Sequence, residues 1–227
     1  MSEVMLDKPS FSESSDIRGL RTELETRLFG PDCEIWGEMF KNFPRKELCW
    51  AVFIARDWFV MNTSSKAKVN ISYLEDNFRN WMLGLIEESV SSVPLGSFLL
   101  DTTTSNRDII AQIGGVLKTI TSLTDVFSEM EAQPFGPKST GDLLSNGSAN
   151  IFYVPQPVKR SDENHFSYNK ETIEETKDSQ YIFEVNGQWY ILRAVGVCWD
   201  EDGWCVYAFS VEDPYRWRGG NQVFYRK

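Results

Sequence analysis

Residues 188–211 read QWYILRAVGVCWDEDGWCVYAFSV. Two runs patterned with a period of two flank the acidic, glycine-containing centre Asp200-Glu201-Asp202-Gly203, which supplies what a short hairpin loop needs. Gly203 can take the left-handed position of a G1 bulge. Two registers stay open. In the bulged one Asp200 opposes Trp204 and Trp199 opposes Cys205. If Glu201 and Asp202 alone form the loop, Cys198 faces Cys205 and Trp199 faces Trp204, a geometry in which a cross-strand disulfide can form.

Upstream of this stretch, residues 181–185 (YIFEV) and Asn186-Gly187 give the strongest hairpin signal in the chain, because Asn-Gly tolerates the positive φ values of a type I′ turn. Downstream, Asp213-Pro214 ends the third run. Residues 181–227 are therefore expected to form an antiparallel meander. In the bulged register small side chains (Ala194, Gly196, Ala208) share one face and bulky ones (Trp199, Tyr207, Phe209) the other. A sheet of this kind needs cover on both sides, and the expected partner-binding surface is Trp199, Trp204, Tyr215 and Trp217.

Residues 132–180 read as an irregular connector. Pro134, Gly136, Pro137, Gly141 and Gly147 crowd its first part, residues 156–180 are polar and charged, and a short strand is expected at 151–154.

Residues 1–131 are expected to form a helical domain of about five helices, which makes the fold class α+β. Ile17, Leu20, Leu24 and Leu28 lie on one stripe before Gly30-Pro31. Cys33, Trp36, Met39 and Phe40 mark a second short helix. Residues 48–61 (LCWAVFIARDWFVM) are apolar nearly all round and read as a central buried helix. Ser72 with Glu75 resembles a capping box ahead of Leu74, Phe78, Trp81 and Leu85, which gives a fourth helix to about residue 89. The longest helix is expected over 106–130, capped by Ser105 and Asp108, with a kink or a close crossing at Gly114-Gly115.

The 227 residues carry 33 acidic and 23 basic side chains, a net charge of -10, which disfavours contact with phosphate backbones. The start of the chain lacks a basic stretch followed by an apolar one, so cytoplasmic residence is expected, and no apolar run is long enough to span a bilayer. Four cysteines, at 33, 49, 198 and 205, and the single histidine His165 show no zinc-site spacing. Free structural thiols are expected, with no metal and no cofactor. A Ser/His/Asp or Cys/His mechanism would rest on His165 alone, and no nucleotide-binding or hydrolase motif occurs. No residue stands out as catalytic. The expected function is a non-enzymatic protein–protein interaction or assembly subunit, binding another chain or a second copy, with no direct nucleic-acid contact and no membrane. The rival from another class is an enzyme with a carboxylate-based site, marked by a deep polar pocket that holds two carboxylates of raised pKa. Third is an acidic mimic of nucleic acid.

Overall fold

Asn186 and Gly187 both adopt positive φ, 51° and 80°, as a type I′ turn requires. The computed structural model describes residues 52–88, 94–160, 166–168, 171–173 and 180–227. In it this turn joins β9 (Ile182–Val185) to β10 (Gln188–Asp200), which continues through the acidic tip into β11 (Gly203–Ser210). The hairpins expected from the period-two pattern are both present.

They do not stand alone. Ahead of them lie β1 (Val52–Ile54), α1 (Ala55–Trp58), β2 (Ile71–Leu74), α2 (Asp76–Trp81), β3 (Ile86–Glu88), β4 (Leu95–Leu99), β5 (Thr104–Ser105), α3 (Asn106–Ile113), α4 (Val116–Thr119), α5 (Leu123–Ala132), β6 (Asn150–Arg160), β7 (Phe166–Tyr168) and β8 (Glu171–Ile173). After them come β12 (Arg216–Trp217) and β13 (Gln222–Arg226). The main sheet runs in the order β2-β11-β10-β6-β13-β4, with β9, β7 and β8 attached at one end. It is mixed, because β2 is parallel to β11 and β13 is parallel to β6, while the other neighbours are antiparallel.

A mostly β structure replaces the expected α+β fold with its helical N-terminal domain. The two earliest expected helices and residues 48–51 lie outside the described residues. Within 52–61 the expected central helix is a strand, β1, followed by the single turn α1. Val-Phe-Ile is a strong strand former, and β3 supplies its antiparallel partner. The expected fourth helix is also divided. Ser72 sits in β2, and the cap of α2 is Glu75, whose side chain accepts from the Phe78 N–H at 3.2 Å.

The expected long helix over 106–130 becomes three. Ser105 caps α3 as foreseen, accepting from the Asp108 N–H at 3.2 Å. Gly114 and Gly115 then take φ of 110° and 106°, left-handed values that stop a helix rather than kink it. Extended backbone follows, with the Thr121 N–H donating to the Tyr153 carbonyl at 2.8 Å. A reciprocal Ser122/Asp125 capping box starts α5.

The expected short strand at 151–154 lies in the buried first half of β6, which is 11 residues long. Its partner β13 pairs only at Asn150 and Ile151. Pro155 and Pro157 therefore lie where no ladder on that side needs their missing N–H groups.

Much of both sheet faces is covered by the chain itself. On the face carrying Trp204, α1, α2 and α5 contribute Ala55, Phe78 and Phe127 to a core that includes Val195, Val197 and Val206. Phe127 packs within 6.2 Å of Phe53 and 5.4 Å of Phe59, and Phe152 stacks on Phe224 at 4.6 Å. Ile109 and Ile110 of α3, with Trp217, cover Ile151, Tyr153, Leu192 and Ala194 on the opposite face. Three layers result, with helices on either side of the sheet.

Candidate functional site

The tip of the β10–β11 hairpin adopts the two-residue-loop register. Cys198 opposes Cys205, Trp199 opposes Trp204 and Asp200 opposes Gly203. Gly203 is not left over as a bulge. It is required by its neighbour, because a Cβ there would lie 2.5 Å from the Asn70 carbonyl oxygen. The same carbonyl accepts the Trp204 N–H at 2.7 Å.

This register mixes bulky and small residues on each face, in place of the segregated faces expected from the bulged one. Trp199, Trp204, Val206 and Ala208 share one face. Cys198, Cys205, Tyr207 and Phe209 share the other, with Gly196 and Ala194.

Two of the four residues expected to bind a partner are internal. Trp204 is 0 % exposed, meets Trp199 edge to face at 5.2 Å, and donates its indole N–H to the Gln133 carbonyl at 2.9 Å. Trp217 is 2 % exposed and lies over Gly196, where a Cβ would come within 3.0 Å of the indole. Its indole N–H donates to Asn106 Oδ1 at 2.7 Å, an oxygen that also accepts from the Tyr153 hydroxyl at 2.9 Å. Burial pushes the Tyr153 phenol well above its ordinary value, so it stays a donor. Trp199 is half-buried and packs over Gly136. Tyr215 alone of the four is exposed, at 43 %.

Tyr215 is the end of a row of rings on the Trp217 face. It stacks on Phe209 at 5.0 Å and 6°. Phe209 stacks on Tyr207 at 6.2 Å and 15°, and Tyr207 lies 5.6 Å from Tyr73 of β2. Trp217 supports the row edge-on, 5.4 Å from Phe209 and 5.0 Å from Tyr215. Tyr73 is 44 % exposed, whereas Tyr207 and Phe209 are half-buried. The row thus offers two exposed tyrosines joined by two partly covered rings on a rigid strand. Burial, together with the neighbouring Cys205 and Cys198, pushes the Tyr207 phenol up to about 12.

Tyr207 and Phe209 were legible as one face of a strand, but their role depended on the register. Tyr73 was hidden by the apparent capping box around Ser72. No signal in its own neighbourhood places it beside a strand 130 residues later.

Carboxylates were the other candidates. Glu87 is raised by burial, and its oxygens accept from the Leu123 N–H, the Thr124 N–H and the Thr124 hydroxyl at 2.8, 2.8 and 2.7 Å. These bonds hold it at the start of α5, and they leave little capacity for proton transfer to a substrate. Glu129 is also raised, by burial and then by the charges of Asp142 and Asp125. Asp125 itself receives Arg226 at 2.7 Å. The acidic tip residues Asp200, Glu201 and Asp202 are exposed. Among the described residues no group of three or more His, Cys, Asp and Glu side chains could hold a metal ion, and no helix is long and apolar enough to cross a membrane. His165 lies outside the described residues.

The chain matches no protein-family model, no curated protein and no solved structure.

Proposed function

We propose that this protein is a non-enzymatic interaction or assembly subunit that docks another protein chain through the row Tyr73, Tyr207, Phe209 and Tyr215. The observation that carries the reading is the continuity of these four rings, with both end tyrosines more than two-fifths exposed. Tyrosine combines a large apolar area with a polar tip and few rotatable bonds, which makes it a frequent interface anchor. Tyr207 and Phe209 are held on β11 and Tyr73 on β2, so most of the row is ordered before a partner arrives and little of its side-chain entropy is lost on docking.

A carboxylate-based enzyme is the second reading, favoured by the raised Glu87 and Glu129. It ranks lower because Glu87 is saturated by donors from α5.

The deciding experiment compares the wild type with Tyr73→Ala/Tyr215→Ala by sedimentation velocity of the purified full chain and by affinity purification from the native source. Each truncated anchor at an interface typically costs about 2 kcal/mol or more of binding. The variant is expected to lose self-association or its co-purifying partner while keeping its circular-dichroism spectrum. Unchanged association in both experiments would sink the docking role of this row.

A further inference from the structure

Cys198 and Cys205 stand directly opposite one another across β10 and β11, both on the Trp217 face. The Trp204 N–H points away from β10 to Asn70, so Trp199/Trp204 is the non-hydrogen-bonded pair and Cys198/Cys205 the hydrogen-bonded one. Facing Cα atoms in such a pair lie about 5.5 Å apart, inside the span of about 4.4–6.8 Å that a disulfide bridges, while their Cβ atoms, about 5.5 Å apart, must close to about 4.5 Å for the bond to form. The two side chains are free thiols, and the neighbouring Cys205 is among the groups that raise the Cys198 thiol.

Polar groups gather around the Cys205 sulfur. Ser72 Oγ lies 3.6 Å from it, and Cys205 is among the neighbours that raise both the Cys198 thiol and the Tyr207 phenol. Cys205 itself is buried, and the half-buried Cys198 opens the pair toward solvent. A structural cysteine is normally surrounded by apolar groups and inert. Burial is present here too, but Ser72 Oγ lies beside Cys205, Cys198 is only half-buried, and the opposed positions place a second sulfur next to the first.

We propose that Cys198 and Cys205 form a reversible two-electron redox site, oxidised by hydrogen peroxide to a cross-strand disulfide. The Cys205 sulfur attacks one peroxide oxygen and the O–O bond breaks. The second oxygen leaves with the Cys205 proton as water, and Cys205 carries a sulfenic acid. The Cys198 sulfur then attacks the Cys205 sulfur, the S–S bond forms and the S–O bond breaks, and hydroxide leaves with the Cys198 proton as a second water. Two thiols are oxidised and one peroxide is reduced to two waters. Burial, and next the charge of Cys205, push the Cys198 thiol up to about 11, so the resolving step is expected to quicken as pH rises. The proposal does not depend on the docking role of the aromatic row.

The sequence makes the test clean. A tryptic peptide spanning residues 194–216, bounded by Arg193 and Arg216, contains Cys198 and Cys205 but neither Cys33 nor Cys49. The full-length chain is treated with hydrogen peroxide, alkylated with iodoacetamide, digested without reduction and analysed by mass spectrometry. The expected peptide has lost two hydrogens and carries no alkyl group, and dithiothreitol before alkylation restores both sites. In Cys198→Ser, dimedone is expected to label Cys205 as a trapped sulfenic acid. A wild-type peptide that remains doubly alkylated, or that gains oxygen on one cysteine while the other stays alkylated, overturns the proposal.

Discussion

The indole N–H of Trp204 is bonded to the backbone carbonyl of Gln133 at 2.9 Å, tying the β10–β11 hairpin to the chain just after α5. The ring is fully buried. Trp204→Ala is expected to destabilise the fold by about 3–5 kcal/mol, the usual cost of deleting a buried aromatic ring. Trp204→Phe keeps much of the packing but leaves the carbonyl unpaired, at about 1–3 kcal/mol. Urea unfolding checks both values, and a wild-type midpoint for Trp204→Ala would show that this ring is not a core anchor.

Gly136 and Gly187 both have positive φ, 53° and 80°, yet they differ in surroundings. A Cβ at Gly136 would lie 2.1 Å from the Trp199 ring, while one at Gly187 meets nothing within 4 Å. Gly187→Ala is expected to cost about 1 kcal/mol of backbone strain. Gly136→Ala adds overpacking of about 1–3 kcal/mol. Thermal melts of the two variants should therefore rank Gly136→Ala as clearly the less stable.

Glu87 and Glu129 predict a particular pH dependence. Both folded carboxyls are raised above the ordinary value of 4.5, chiefly by burial. The native state therefore holds more protons than the unfolded chain between that value and the folded ones, and these groups make stability fall as pH rises through the window. Below 4.5 their favourable contribution is fully present. Glu87→Gln removes one of these titrations and should flatten the slope above pH 4.5. Chemical denaturation of both proteins across the window checks the difference, and an unchanged slope would refute it.

Asn106 accepts from two buried donors, the Trp217 indole and the Tyr153 hydroxyl, through a single oxygen. Asn106→Ala orphans both, and each unsatisfied group costs about 1–3 kcal/mol. Trp217→Phe removes one donor without orphaning the oxygen, which keeps Tyr153, and is expected to be the milder change. Equal losses in the two variants would show that the network is not what fixes Trp217.

What the sequence by itself determined are features whose causes are local. Asn186-Gly187 turns where it does because those two residues accept positive φ. Ser105 caps α3 because its hydroxyl reaches an N–H three residues on. The alternation through residues 188–211 marks strands, and the hairpin tip is legible in its acidic, glycine-containing centre. Gly114-Gly115 stood out as a signal too, but it read as a kink or crossing within one helix, whereas the positive φ of both residues ends the helix there.

Tertiary structure decided the rest. Residues 52–54 are apolar enough for a buried helix or a buried strand, and pairing with β3, some thirty residues later, selected the strand. Local pattern could not distinguish the two hairpin registers at Cys198 and Cys205. The Asn70 and Gln133 carbonyls, both far away in the chain, bind Trp204 and fix the observed one. The same register buries Trp204, brings the two thiols face to face and aligns Tyr207 and Phe209 with Tyr73. A turn or a cap is set by the φ and ψ preferences of its own few residues. A strand's partner, and therefore which of its faces is covered, depends on hydrogen bonds and packing supplied by residues distant in sequence, which no local period encodes.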